Sequence, residues 1–438
     1  MKVAIIGAGC SGITAVKNLL QAGVEDIVCF EQNSRIGGNW VYSPETTHSS
    51  VTETTHIISS KKMSEFTDFP MPDHYPDYPS HRQVLAYFDN YCDHFGILPF
   101  IRFNTRVDKV LLNDKGQWDV YINSRDLPEI FDYLLVANGH HSVPRHYRIP
   151  GHFTGTYMHS HEFKNGRGFE GKRVLVIGGG NSACDCAVEC SRVTDHVVIS
   201  IRRPQYIVPK FFMGKPTDTF NDKMRWLPEA VAEKLRRMSL KIQVGNYEDY
   251  GLKNPDFPVT YDHPTVNSEL LYMLRHGKVK AAVGIKSVEG KKVTFEDGKQ
   301  DEFDIIIAAT GYKIATPFFD PEFLDYSEAD EIALYLRMFH PDYPKLIFIG
   351  LVQPQGAIWP LSDIQSKLAA NYIAGRWSLP QNIAALAKKE TESISKSFLK
   401  EKRHVIEVHF TPYFEKIAKL IPKDAPEWKK VQGQEVIQ

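Results

Sequence analysis

The chain lacks any apolar run approaching the roughly 20 residues that a helix needs to cross a bilayer. It has little net charge, a formal −1 from 52 basic and 53 acidic residues, so nothing electrostatic favours nucleic acid or an anionic membrane surface. Cysteine is sparse: Cys10, Cys29, Cys92, Cys184, Cys186 and Cys190 form no CxxC pair. That argues against a disulfide framework, a zinc site or a two-cysteine redox centre, and suits a reducing cytoplasm. Low-complexity tracts are absent, and the first residues already read as a β-strand, with no signal peptide ahead of it. The expectation is a cytoplasmic globular protein without a metal site, whose 438 residues suggest two or three domains.

What the chain does have is two glycine turns of the dinucleotide-binding kind. Gly7-Ala8-Gly9-Cys10-Ser11-Gly12 follows the apolar run Val3 to Ile6, and Gly178-Gly179-Gly180-Asn181-Ser182-Ala183 follows Val174 to Ile177. Each precedes a helical pattern. Glycines there let the backbone turn tightly and approach a diphosphate seated on the helix N-terminus. The charge that follows differs. At the end of the run Asp26 to Phe30 stands Glu31, followed by Gln32; at the end of Val197 to Ile201 stand Arg202 and Arg203. A carboxylate accepts hydrogen bonds from ribose hydroxyls, whereas guanidinium groups suit a ribose bearing a 2′-phosphate. The first site therefore reads as one for an unphosphorylated ribose, and the second as one for NADPH.

The fold class is α/β, with two Rossmann-like domains and the second inserted in the first. Boundaries are expected near 150 and 302, giving 1–150 and 303–438 to the first domain and 151–302 to the second. The buried-strand patterns Tyr133 to Gly139 and Asp304 to Tyr312 mark the two crossings, and Val293 to Gly298 reads as a hairpin. The turn-rich stretch Ser43 to Pro79 reads as irregular structure over a site.

Between the turns lies Phe153-Thr-Gly155-Thr-Tyr-Met-His159-Ser-His-Glu-Phe163-Lys164. It resembles the FxGxxxHxxx(Y/F) signature of the flavin-containing monooxygenases, class B flavoproteins here of a soluble microbial type. Gly37 to Trp40, Lys62 to Ser64 with Asp68 to Pro70, Gly139 to His141, Ala309 to Tyr312 and Gly350 to Pro354 resemble further elements of that family in the same order. The resemblance implies FAD on the first turn, NADPH on the second and O₂ as co-substrate. It implies oxygenation of an amine nitrogen, a sulfide sulfur or an indole through a C4a-hydroperoxyflavin, the cofactor carrying the chemistry.

The same resemblance implies roles. Gly7, Ala8, Gly9, Cys10, Ser11, Gly12, Glu31, Gln32, Gly38, Asn39 and Trp40 would hold FAD, and Gln353 would reach its ring. Gly178, Gly180, Asn181, Ser182, Ala183, Arg202 and Arg203 would hold NADPH. For Trp40, core packing and flavin contact stay open. Asp185 reads either as a first-turn helix acid on the positive end of the dipole or as a cofactor contact. His159 reads as a linker histidine bonded to backbone, and no catalytic side chain is named. Where many relatives place an Asn five residues before the Met of the segment over the flavin, this chain has Ile58, and Ser59 is its nearest substitute. That departure points to partial uncoupling. Phe163-Lys164 stands where Baeyer–Villiger relatives carry Trp followed by Pro or Asp. The partner is thus a small nucleophilic molecule, with a homodimer left open. The rivals are a Baeyer–Villiger enzyme, an uncoupled oxidase, and a flavin- and NADPH-binding redox sensor without turnover.

Overall fold

The structure is a computed structural model that describes residues 1–224, 226–399 and 405–426. The chain divides into two compact units: residues 1–41, 61–143 and 313–438 form the first, and residues 42–60 and 144–312 the second.

At the centre of the first unit is a five-stranded sheet ordered Leu346–Phe348, Tyr133–Val136, Val3–Ile6, Ile27–Phe30, Ile101–Arg102. Its pairings are all parallel, with Val3 facing both Ile27 and Tyr133. Parallel strands are covered on both faces, so they read as unbroken apolar runs, and VAII and IVCF are buried at every position. The helix Cys10–Gln21 packs beside the helix Trp359–Ile373. Polar pairs stitch the two together: Ser11 to Ser362 (3.0 Å), Thr14 to Ser366 (3.2 Å) and Asn18 to Asp363 (2.9 Å). A smaller antiparallel sheet, Val107–Leu112, Trp118–Ile122 and Glu129–Phe131, buries Trp118 against Phe319 and Phe323.

The second unit repeats the plan. Its parallel sheet is ordered Thr156–His159, Ile305–Ala308, Arg173–Ile177, His196–Ser200, Val279–Ala282. An outer sheet follows the order Gln300–Glu302, Lys292–Phe295, Ile285–Gly290, Gly151–Phe153. The stretch Val293 to Gly298 lies in a hairpin, with the Phe295 amide donating to the Lys299 carbonyl.

The division differs from the expected 150 and 302 in three ways. It falls at 143/144 and at 312/313, and residues 42–60 group with the second unit. Ile305–Ala308, expected to open the last part of the first domain, is an inner strand of the second sheet. Its pairing with Thr156–His159 and Arg173–Ile177 fixes it there. Among the described residues, no helix is long and apolar enough to cross a membrane.

Candidate functional site

In the first unit, the turn after Val3–Ile6 leaves no room for side chains. A Cβ on Gly12 would lie 1.8 Å from the Gly7 carbonyl oxygen, and one on Gly38 3.1 Å from the Gly9 Cα. Gly7 itself sits at φ +99°, open to glycine but strained for other residues. The turns Gly7 to Gly12 and Gly37 to Gly38 thus press backbone on backbone, and the Gly37 amide donates to the Ala8 carbonyl at 3.1 Å. The helix Cys10–Gln21 begins at Gly9 with no side-chain cap. By contrast, the helix His81–Phe95 in the same unit is closed by a Ser80–Gln83 capping box. An uncapped helix start beside a glycine turn is a cradle for an anionic diphosphate.

Glu31 is buried, only 4% exposed, at the end of Ile27–Phe30. Its Oε2 accepts from the Ala8 amide at 2.8 Å, and its Oε1 from the Asn33 amide at 2.9 Å and side chain at 2.6 Å. A carboxylate has about four acceptor sites, so ribose hydroxyls can still be received. Asn33 went unseen in the sequence, because a lone Asn after a strand has no signature. Gln32 is exposed, while Cys10 and Asn39 are half-buried and Ser11 is buried against Ser362. Trp40 is half-buried and meets Trp359 edge to face at 5.4 Å.

Beyond Tyr133–Val136 and Leu346–Phe348, a small cavity is lined by Asn138, Gly139, Ala315, Gly350 and Leu351. Gly350 sits at φ +78°, and a Cβ there would strike Ser11 Oγ. Gln353 follows, its amide fixed to the Ile406 carbonyl at 2.7 Å and its side-chain oxygen 3.0 Å from His140 Nε2.

In the second unit the turn after Arg173–Ile177 has the same form, with one telling difference. Gly178, at φ +129°, is needed because a Cβ would lie 2.4 Å from the Ala309 carbonyl oxygen. Gly180 is not needed by the fold: its backbone is ordinary, φ −74°, and nothing lies within 4 Å of the Cβ it lacks. A glycine required by neither backbone nor packing leaves space for something that approaches from outside. The helix Asn181–Ser191 again starts without a side-chain cap. Asn181 Oδ1 accepts from the Val266 amide at 2.7 Å, and Thr265 Oγ1 donates to the Gly179 carbonyl at 3.0 Å, bracing the turn from behind. Ser182 is exposed and Ala183 buried.

Asp185 is not a first-turn acid. The first turn of this helix has none, and Asp185 lies one residue beyond it, where its carboxylate accepts from Asn267 Nδ2 at 2.8 Å. Arg202 and Arg203 are exposed just past His196–Ser200. Arg203 borders a hollow that Gln205, Lys253 and Val283 also line, so Lys253 adds a third cation to the Arg202 and Arg203 pair.

The signature between the turns does structural work in the second unit. Its residues, together with Arg167 just beyond it, hold the segment 42–60. His161 Nε2 bonds the Thr47 carbonyl (2.6 Å), Lys164 Nζ donates to the Ser49 carbonyl (2.7 Å), and Arg167 pairs with Glu53 (2.8 Å). Phe163 is buried against Phe169. Ser59 and Ile58 belong to this segment, whereas Lys62 to Pro70 belong to the first unit. Next to Ser59, the Ser60 amide donates to Asp218 at 2.5 Å.

His159 is fully buried, and its Nδ1 accepts from the His161 amide at 3.1 Å. Burial first, then the adjacent His146, pulls its pKa down to about 4. At neutral pH it is therefore uncharged, with Nδ1 used by the backbone and unavailable to carry protons. Its contribution to stability is full above about 6.5 and is lost as pH falls from there towards about 4. Thermal midpoints measured from pH 7.5 to 4.5 should fall across that window, and His159→Gln should reduce the slope by about one proton. An unchanged slope would exclude His159 as a source.

The comparisons agree with this geometry. A family model described as flavin-binding monooxygenase-like matches residues 1–428. Flavin-containing monooxygenase 5 of Rattus norvegicus is 36% identical over 444 residues, covering 96% of this chain and 82% of that protein. Dimethylaniline monooxygenase [N-oxide-forming] 2 of the same species is 33% identical over 443 residues, covering 95% and 82%. Among solved structures, S-allyl-L-cysteine S-oxygenase from Allium sativum superposes with a TM-score of 0.73 at 23% identity, covering 97% of this chain and 89% of that one. The chain belongs to the flavin-containing monooxygenase family, NADPH-dependent enzymes that use FAD and O₂.

Proposed function

We propose that the first unit keeps FAD, that the second admits and releases NADPH, and that the enzyme oxygenates a soft nucleophile, an amine nitrogen or a sulfide sulfur. The observation that carries this reading is the pair of glycine cradles with opposite charge beyond them: buried Glu31 after one, exposed Arg202 and Arg203 after the other. The names of relatives support the substrate class, one forming N-oxides and one oxygenating a sulfide. Bound FAD would supply the redox chemistry, in which NADPH gives the hydride, one oxygen atom of O₂ goes to the substrate and the other leaves as water.

The chain's own residues have positioning tasks. Gly7, Gly9, Gly12 and Gly38 let the backbone amides of the first cradle reach the diphosphate, and Glu31 receives the ribose hydroxyls. Gly178 and Gly180 do the same for NADPH, with Arg202 and Arg203 on the 2′-phosphate. Trp40 and Gln353 bound the flavin end. Lys164, His161 and Arg167 hold the segment 42–60 in one conformation.

Yellow holoenzyme should consume NADPH in air and convert trimethylamine or methimazole to the oxygenated product. Turnover of cyclohexanone to its lactone with neither amine nor sulfide oxidised would reverse the reading in favour of Baeyer–Villiger chemistry. A protein that binds both nucleotides yet consumes no NADPH would favour a sensor. A second reading, partial uncoupling, rests on Ile58, an aliphatic side chain where relatives place an amide. It predicts that a substantial share of NADPH consumed appears as H₂O₂, and tight coupling with a tertiary amine would sink it.

Gly180→Ala separates binding from folding. With open space around the new methyl group, the thermal midpoint should move by less than about 0.5 kcal/mol equivalent. The KM for NADPH should rise about 10-fold or more as the methyl group meets the diphosphate. An unaltered KM would mean that NADPH does not approach this turn.

A further inference from the structure

His140 follows Gly139 just past the strand Tyr133–Val136, within the first unit. The sequence places it in the element Gly139 to His141 without giving it a role of its own. It is nine-tenths buried, with 9% exposure. One ring nitrogen, Nε2, lies 3.0 Å from Gln353 Oε1. The other, Nδ1, is buried with no hydrogen-bond partner in the protein. Burial holds the imidazole pKa below its usual value, so at neutral pH the ring carries one N–H and one lone pair.

The pairing has one consistent reading. Gln353 offers an oxygen to His140, so Nε2–H donates and Nδ1 is left as an acceptor. The carbonyl end of the Gln353 side chain is then occupied, and its NH₂ is the group left to point elsewhere. The Gln353 backbone cannot yield: it starts the strand Gln353–Gln355, paired in parallel with Glu407–His409, and its amide bonds the Ile406 carbonyl. Gly139 and Leu351, which precede His140 by one residue and Gln353 by two, line the cavity of this unit. An amide whose oxygen is held by a buried imidazole keeps its NH₂ in one orientation, a donor that the acceptor edge of a polar heterocycle can use.

We propose that His140 is a positioning residue of the flavin site: its imidazole fixes the Gln353 amide so that the NH₂ is presented to the flavin ring. This rests on the reading that the first unit holds FAD with Gln353 at the ring. A donor held against the ring favours the reduced, electron-rich flavin, and an amide free to rotate does so less.

The test is a double-mutant cycle on the FAD-loaded enzyme, read by flavin midpoint potential and visible spectrum as well as by rate. Gln353→Leu should shift the two-electron equilibrium about tenfold towards oxidised flavin, which is about 30 mV. His140→Leu should give a similar shift and slow flavin reduction at saturating NADPH about tenfold, with the KM for NADPH changed less than twofold. The double variant should add little to either, since both remove one interaction. His140→Gln, which keeps a donor and is less exposed to misfolding, should retain the potential to within a threefold shift of the equilibrium.

Additive effects would overturn the proposal, as would a Gln variant as impaired as Gln353→Leu. The two levels separate cleanly. If Gln353→Leu leaves potential and spectrum unchanged, Gln353 does not reach the flavin and the underlying reading fails. If Gln353→Leu shifts them and His140→Leu does not, the role of His140 alone is refuted.

Discussion

Changing Arg202 and Arg203 together to alanine is expected to raise the KM for NADPH about 100-fold while leaving that for NADH within about threefold. A charge-assisted hydrogen bond contributes roughly 1.5–3 kcal/mol, and each 1.4 kcal/mol is a factor of ten. Two guanidinium groups on one phosphate share the same charge, so their effects will not add in full. Both side chains are exposed beyond His196–Ser200, so removing them should leave the thermal midpoint within about 0.5 kcal/mol equivalent. The expected result is therefore a change of preference with no change of stability. Steady-state kinetics with both nucleotides measures it, and an equal rise in both KM values would show that the pair does not read the 2′-phosphate. Lys253, on the rim of the same hollow, supplies a weaker third cation, so its alanine variant should give a smaller effect in the same direction.

Much of this was legible in the sequence because parallel strands leave no choice of pattern. VAII, IVCF and the matching runs of the second sheet are buried on both faces, so they stand out as apolar blocks closed by glycines. The glycine positions were legible for the same reason, since Gly12 and Gly178 have no alternative residue that fits. The boundaries were less so. Ile305–Ala308 looks like Tyr133–Val136, and only its pairing partners tell which sheet owns it. The segment 42–60 carries no periodicity at all. Its place is decided by His161, Lys164 and Arg167, more than 100 residues away, and by backbone carbonyls that no sequence pattern reveals. Asn33 escaped notice, and His140 drew no role of its own inside the element Gly139 to His141, because each acts through one neighbour, Glu31 or Gln353.

Lys17→Met is expected to lower the stability of the first unit by about 3–5 kcal/mol, far more than Gly180→Ala or the Arg202/Arg203 pair in the second cradle. Lys17 lies on the helix that opens at Gly9, and its ammonium is fully buried between two carboxylates. It pairs with Asp68 in close contact and with Asp363 at 3.5 Å. The three residues come from the three separate chain segments of the first unit, so one cation ties together parts that the insertion keeps apart in sequence. Without it, two carboxylates would face each other away from water. Asp363 is further held by Asn18 and Thr67, and although burial alone would raise its carboxyl, Lys17 and these donors bring it below the usual range. Asp68 goes the other way, pushed up by burial and by Asp363. The stability that Asp363 contributes is present above about pH 4 and is lost as pH falls through its lowered pKa. In Lys17→Met that carboxyl loses its cation and titrates higher, so the variant should recover part of its deficit below about pH 5. Lys17→Met with Asp363→Asn, which removes one of the two stranded charges, should regain more than half of the loss at pH 7. Urea midpoints of the three proteins, followed by flavin release, measure it. A variant Lys17→Met as stable as the parent at pH 7 would show that this cluster is solvated and holds nothing together, and the segment Lys61 to Pro70 would then owe its place to contacts such as the Phe66 and Phe69 rings on Tyr87 and Tyr91 and the bonds of Lys61 Nζ to the Asp73 and Tyr75 carbonyls.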